Sequence, residues 1–181
     1  LSRLKELNNE ITENLERYDT IKAGRPIKVF VEDLSTWYLR RSRDRFKSEN
    51  FEENKKVSET MMFVLIELSK MLAPFMPFFA EKIYQDLKNK SSKESVHLED
   101  WPLLESLRID EKAISIMKSV RKLVSIALEK RMASLIKIRQ PLSKLKVKDL
   151  ELKDKKEYLE LIKDEINVKE IDFDPDLTEE V

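Results

Sequence analysis

Residues 61–80, MMFVLIELSKMLAPFMPFFA, are nearly all apolar, and whether they cross a bilayer or fill a core decides the fold. Glu67, Lys70, Pro74 and Pro77 interrupt the run, and each charge near a bilayer centre costs roughly 2.5 to 3.5 kcal/mol. The stretch therefore reads as a central helix through Met61, Leu65, Leu68 and Leu72, buried on several sides. Pro74 and Pro77 turn a corner, and Pro77 suits the first position of a further helix carrying Phe78, Ile83, Tyr84 and Leu87. On this reading the Met and Phe stripe from Met61 to Phe79 is core.

Helical spacing extends outward on both sides. Leu4, Leu7, Ile11, Leu15 and Tyr18 recur at three- and four-residue steps, and Asp19 interrupts or caps that helix. A second helix carries Phe30, Val31, Leu34, Trp37 and Tyr38 to about Lys47, with Gly24 and Pro26 marking a kink or a late start. Asn50, with Glu53 three residues on, caps the central helix. After a polar linker, SVHLEDWP at residues 95–102 reads as a loop strapped over the bundle by Val96, Leu98 and Trp101. Asp110 caps another helix with Ala113, Met117, Val120, Val124, Ala127 and Leu128 facing inward. Beyond Ile136 the pattern alternates, Leu145 and Val147 against Lys144, Lys146 and Lys148, which predicts a strand. Asp154 and Glu157 open a last helix, and Val168, Ile171 and Phe173 mark a second strand. The expected fold is mainly α, a helical bundle over residues 1–134 with a small strand-helix-strand annex over 135–181.

Composition narrows the function. A single glycine in 181 residues disfavours all-β and Rossmann-type architectures. With no cysteine and one histidine, thiolate chemistry, disulfides and a zinc site are not expected, and no metal is. His97, between Val96 and Leu98, has no Ser or Cys nucleophile placed beside it in sequence and reads as structural, so no catalytic residue is expected. The chain opens in helical phase with neither an initiator Met nor a signal segment, and reads as part of a longer polypeptide.

Charge is neutral overall, 35 basic against 35 acidic residues, but segregated. Residues 118–148 hold ten Lys or Arg and one acid, whereas residues 149–181 hold thirteen acids and five lysines. A basic face of this kind steers a polyanion to itself, and the acidic tail should point away from it. A second cluster lies in VEDLSTWYLRRSRDRF, residues 31–46, where four arginines within six positions follow a Trp-Tyr pair. Guanidinium forks grip phosphates and aromatic rings stack on unstacked bases, which points to RNA. The competing reading is a solvated helix face with internal ion pairs. On an unbroken helix Arg41 and Arg45 would continue the line of Leu34 and Tyr38 over the core edge, and Trp37 would be chiefly packing.

Four segments, VEDLSTWYLRRSRDRF, LAPFMPFFAEKIYQDL, SVHLEDWP and IRQPLSKL ahead of INVKEIDF, resemble in order and spacing the anticodon-binding region of isoleucyl-tRNA synthetases, class I aminoacyl-tRNA synthetases. The resemblance covers essentially the whole chain. It implies a helical bundle that docks the anticodon stem-loop of isoleucine tRNA while a catalytic core elsewhere in the same cytoplasmic, non-membrane polypeptide uses ATP. Neither an H-I-G-H-like nor a K-M-S-K-S-like signature occurs here, so the resemblance implies no cofactor and no catalysis within this segment. Arg40, Arg43 and Arg45 coincide with arginines of the family's W-Y-x-R-x-x-R-x-R pattern. With Trp37, Lys47, Lys118, Arg121, Lys122, Arg131 and Arg139 they make up the candidate RNA contacts. The alternatives are the corresponding valyl domain, which shares the L-A-P-F-x-P-F-x-x-E junction, and a non-catalytic helical protein-interaction module.

Overall fold

The computed structural model describes residues 1–148 and 152–177 and divides into two compact units, Leu1–Ile109 and Asp110–Val181. In the first, α1 (Ser2–Glu16) buries Leu4, Leu7 and Ile11 against α2 (Thr20–Asp33), which contributes Ala23, Ile27 and Phe30. Asp19 caps α2 by accepting from the Lys22 N–H at 3.0 Å, and the helix runs unbroken past Pro26 instead of starting late. The expected second helix does not continue to Lys47. A π-helical turn takes over at Leu34–Leu39, followed by the single turn α3 (Arg43–Phe46).

The central helix is α4 (Phe51–Leu72), whose cap Asn50 accepts from Glu52 and Glu53 N–H groups as its sequence position predicts. Val57, Val64, Leu68 and Met71 recur on its buried side, and α5 (Pro77–Leu87) returns Ala80 and Tyr84 to the same core. The expectation that the whole Met and Phe stripe is core does not hold. Met62, Phe63, Met76, Phe78 and Phe79 are exposed, because the helices packed on α4 and α5 cover only part of each circumference.

A strap closes this unit. Glu81 accepts from the Ser95 hydroxyl and the Val96 N–H, both at 2.9 Å, and the Tyr84 hydroxyl donates to Glu99. Further on, the Trp101 indole N–H donates to the Thr12 hydroxyl at 2.8 Å and Asn8 donates to the Pro102 carbonyl at 3.0 Å. Val96 is buried and Trp101 packs on the core, as expected, but Leu98 and His97 face solvent.

In the second unit Asp110 caps α6 (Glu111–Ala133) through the Ala113 N–H, and Val120, Leu123, Val124 and Ala127 face inward. Leu128, expected inside, is partly exposed. Helix α6 packs on α7 (Lys156–Ile166), which buries Ile162 and Ile166. Compactness thus groups α6 with the annex, where the sequence reading drew its division after residue 134. Strands β1 (Leu142–Val147) and β2 (Val168–Phe173) pair in parallel, with Lys144 opposite Glu170 and Lys146 opposite Asp172. The fold is mainly α with a small strand-helix-strand annex, as the sequence predicts. Among the described residues no helix is long and apolar enough to cross a membrane.

Candidate nucleic-acid interface

The wide turn at Leu34–Leu39 governs where the first cluster of cations ends up. A π turn holds more residues than an α turn, so side chains spaced four apart stay in line through it. Half-buried Leu34 and Tyr38 are continued by buried Ser42 and half-buried Phe46, not by Arg41 and Arg45. Arg40, Arg41, Arg43, Arg45 and Lys47 are consequently all exposed. Arg41, read from sequence as a core-edge residue, joins the surface cluster. Nothing in the residue types around position 34 announces the extra residue in the turn.

Backbone and neighbouring side chains hold this surface in place. The Arg40 Nε donates to the Thr36 carbonyl at 2.8 Å, and Arg45 Nε lies 3.5 Å from Glu53 Oε1. Glu53 also accepts from the Ser48 hydroxyl at 3.2 Å, and the Asn54 side chain donates to the Phe46 carbonyl, fastening α3 to the start of α4. Arg43 and Lys47 sit one turn apart, the Lys47 N–H bonded to the Arg43 carbonyl at 3.2 Å. Among the described residues no carboxylate pairs with either side chain, which leaves both cations able to meet phosphate. Trp37 is half-buried, neither a core indole nor an open stacking platform.

In the second unit the basic segment divides by what surrounds each cation. Lys118, Lys122 and Arg139 are exposed and Arg121 is half-buried. Arg131 is placed elsewhere: it is buried, and one terminal nitrogen donates to the carbonyls of Lys137, Ile138 and Gln140. It braces the turn after α6 and presents no charge to a ligand, so its position does not suit the expected RNA contact. A single α-helical residue such as this reads as wet in sequence because the carbonyls it serves lie beyond the helix end.

The acids of β2 do not point away from the basic strand. Lys144 Nζ lies 3.1 Å from Asp172 and 3.3 Å from Glu170, and Lys146 Nζ lies 3.1 Å from Asp174. Hydrogen bonds from Asp172 and then Glu170 push the Lys144 pKa up, while the one from Lys146 holds the Asp174 carboxyl down. These two lysines are neutralised within the annex, so the open cations of this unit lie outside its strands. Asp149, with which the acidic segment begins, lies outside the described residues. Lys137, exposed beside Arg139, is a cation absent from the candidate set although the charge count had included it.

Comparison with known proteins agrees with a surface made for RNA. Residues 1–148 match the family model described as the anticodon-binding domain of tRNA ligase. The chain is 37% identical over its whole length to the isoleucine–tRNA ligase of Clostridium acetobutylicum, of which it covers 18%. It is 42% identical over 81% of its length to that of Dehalococcoides mccartyi strain CBDB1, covering 15% of it. To the Thermus thermophilus isoleucine–tRNA ligase it is 38% identical over 94% of its length, covering 17%. The chain thus spans less than a fifth of these relatives, and, with the model matched through most of its residues, it belongs to the anticodon-binding domain family of tRNA ligases.

Proposed function

We propose that this chain is the anticodon-binding part of an isoleucine–tRNA ligase, engaging the anticodon stem-loop of isoleucine tRNA. The exposed cations of residues 40–47, fixed on a wide turn and including the unpaired Arg43 and Lys47, carry the reading. Phosphates are gripped by these side chains and, in the second unit, by Lys118, Lys122 and Arg139, with Arg121 at the margin. Unstacked loop bases are then read by contacts to their exposed edges. Residues 1–134 perform this docking and residues 135–181 form an annex beside it. This segment needs no cofactor. ATP is consumed by the catalytic core of the same cytoplasmic polypeptide, which charges the docked tRNA. The names of the relatives support isoleucine over valine.

The test is a titration of the complete ligase with isoleucine and valine tRNAs at several salt concentrations. Isoleucine tRNA should bind more tightly, with log affinity falling linearly in log salt at a slope of roughly 0.9 per phosphate neutralised on duplex segments. Equal affinity for the two tRNAs would overturn the isoleucine assignment, and salt-independent binding would overturn the phosphate mechanism.

A further inference from the structure

The corner between α4 and α5 is out of keeping with the rest of its unit. Phe78 is 92% exposed, Phe79 53% and Met76 50%, and Pro74 and Pro77 beside them are exposed as well. Scattered apolar residues on a surface need no explanation, but two phenylalanines and a methionine within one turn form a patch of the kind that a partner covers. Residues 73–80, APFMPFFA, contain no charged side chain. A polyanion would find nothing there to hold, which separates this corner from the RNA-facing cations and points to an apolar protein surface.

Area selects among protein partners. A whole phenylalanine offers on the order of 200 Å², so the three side chains together offer roughly 400 Å². A stable interface between separate molecules needs about 800 Å² from each partner, twice what this patch provides. A second copy held here alone would dissociate at ordinary concentrations. A covalently tethered partner has an effective concentration near the millimolar range and holds with less area. The relatives indicate where that partner resides, since the chain covers 18% of the Clostridium acetobutylicum ligase and 17% of the Thermus thermophilus one.

We propose that Met76, Phe78 and Phe79 form the face on which a part of the same ligase polypeptide outside these residues docks, presenting an apolar surface of its own. The inference rests on the ligase reading above. Pro77 at the first helical position and buried Ala80 at the fourth fix the turn that displays the two rings, so the face is preformed and little freedom is lost on docking. Coupled in this way, the anticodon-binding unit holds a set orientation to whatever the docked part carries.

The complete ligase tests this by hydroxyl-radical labelling read residue by residue. Tyr18, 93% exposed in the same unit, serves as the internal reference. Phe78 and Met76 should label several-fold more slowly than their exposure here implies relative to Tyr18, in a ligase that light scattering shows to be monomeric. The double variant Phe78→Ser with Phe79→Ser should restore labelling of Met76 and speed proteolytic release of this unit several-fold. Labelling of Phe78 in proportion to its exposure here would overturn the proposal. So would protection present only in a dimer, which would make a second copy the occupant. If protection fails while isoleucine tRNA is still preferred, this inference falls and the ligase reading stands; if the preference fails, both fall.

Discussion

Arg131 and Lys137 face each other across the turn that ends α6, the guanidinium donating to the Lys137 carbonyl at 2.8 Å. The same nitrogen serves Ile138 and Gln140, so one buried side chain holds residues 137–140 in place. Arg131→Lys keeps the charge but cannot satisfy three diverging carbonyls. It should lower unfolding stability by about 1–3 kcal/mol, the range for hydrogen bonds to charged groups. Denaturant melts check the loss, and tRNA affinity measured well below the melting temperature should change by less than about threefold.

Arg43 and Lys47 invite the opposite outcome. Both are exposed and unpaired among the described residues, and surface substitutions of this type usually stay within about 0.5 kcal/mol of the parent's stability. Arg43→Ala with Lys47→Ala should leave the melting curve unchanged. It should reduce charging of isoleucine tRNA by the complete ligase at least about tenfold, as two charge-assisted contacts worth roughly 1–3 kcal/mol each are lost. Amino-acid-dependent ATP-pyrophosphate exchange, which needs no tRNA, should be spared. Unchanged charging would place the RNA surface elsewhere.

The chain's one glycine sits where a side chain fits, and its left-handed helix ends lack one. A Cβ on Gly24, inside α2, would meet the Phe75 ring at 3.6 Å, an ordinary contact. Gly24→Ala should therefore stabilise the protein by about 0.5–1 kcal/mol, since glycine weakens a helix interior. Leu135 follows the end of α6 with φ 56°, while the Ile136 N–H reaches back to the Arg131 carbonyl at 2.9 Å. This closing geometry favours glycine. Leu135→Gly gives up little packing, because the side chain is exposed, and should add up to about 1 kcal/mol. Both changes are read from denaturant midpoints.

Tyr84 and Glu99 make stability depend on pH at both ends. The Tyr84 hydroxyl, with help from the Lys93 N–H and the charges of Lys70 and Lys93, holds the Glu99 carboxyl below its ordinary 4.5. Its contribution is therefore complete above about pH 4.5 and lost as pH falls through the depressed value. Burial, and then Glu99, push the Tyr84 phenol up to about 12 from 10. That contribution is complete below pH 10 and is lost as pH rises towards 12. Tyr84→Phe should shrink the acid loss, remove this alkaline one, and cost about 1–2 kcal/mol near neutrality. Chemical melts across the pH range show whether both limbs flatten together.

Caps and strands were the legible part of this fold because their signals are local. Asp19, Asn50 and Asp110 each accept from N–H groups two or three residues away, so sequence spacing alone places them. The alternation around Leu145 and Val147 and the apolar positions of INVKEIDF marked the two strands in the same way. The wide turn was not legible, since Leu-Ser-Thr-Trp-Tyr-Leu is equally compatible with an ordinary α-helix and the choice is made by packing beyond it. Nor was the exposure of Phe78 and Phe79, because hydrophobicity states that a side chain prefers cover without saying whether its own unit supplies it. Of the candidate RNA residues, the family pattern located Arg40, Arg43 and Arg45 on one open surface, whereas Arg131 depended on carbonyls that no residue count can orient.

The turn at Leu34–Leu39 holds a spare residue, and a spare residue is something a gene can lose. Deleting one codon there would let the turn close as ordinary α-helix and swing all that follows by about 100° around the helix axis. The core residues of α2 would keep their places, yet Arg43 and Lys47 would point along a different bearing with their chemistry untouched. The azimuth of the basic cluster is thus encoded separately from its charge, by a count of residues, and could be re-aimed by insertion or deletion where substitution would only strengthen or weaken it.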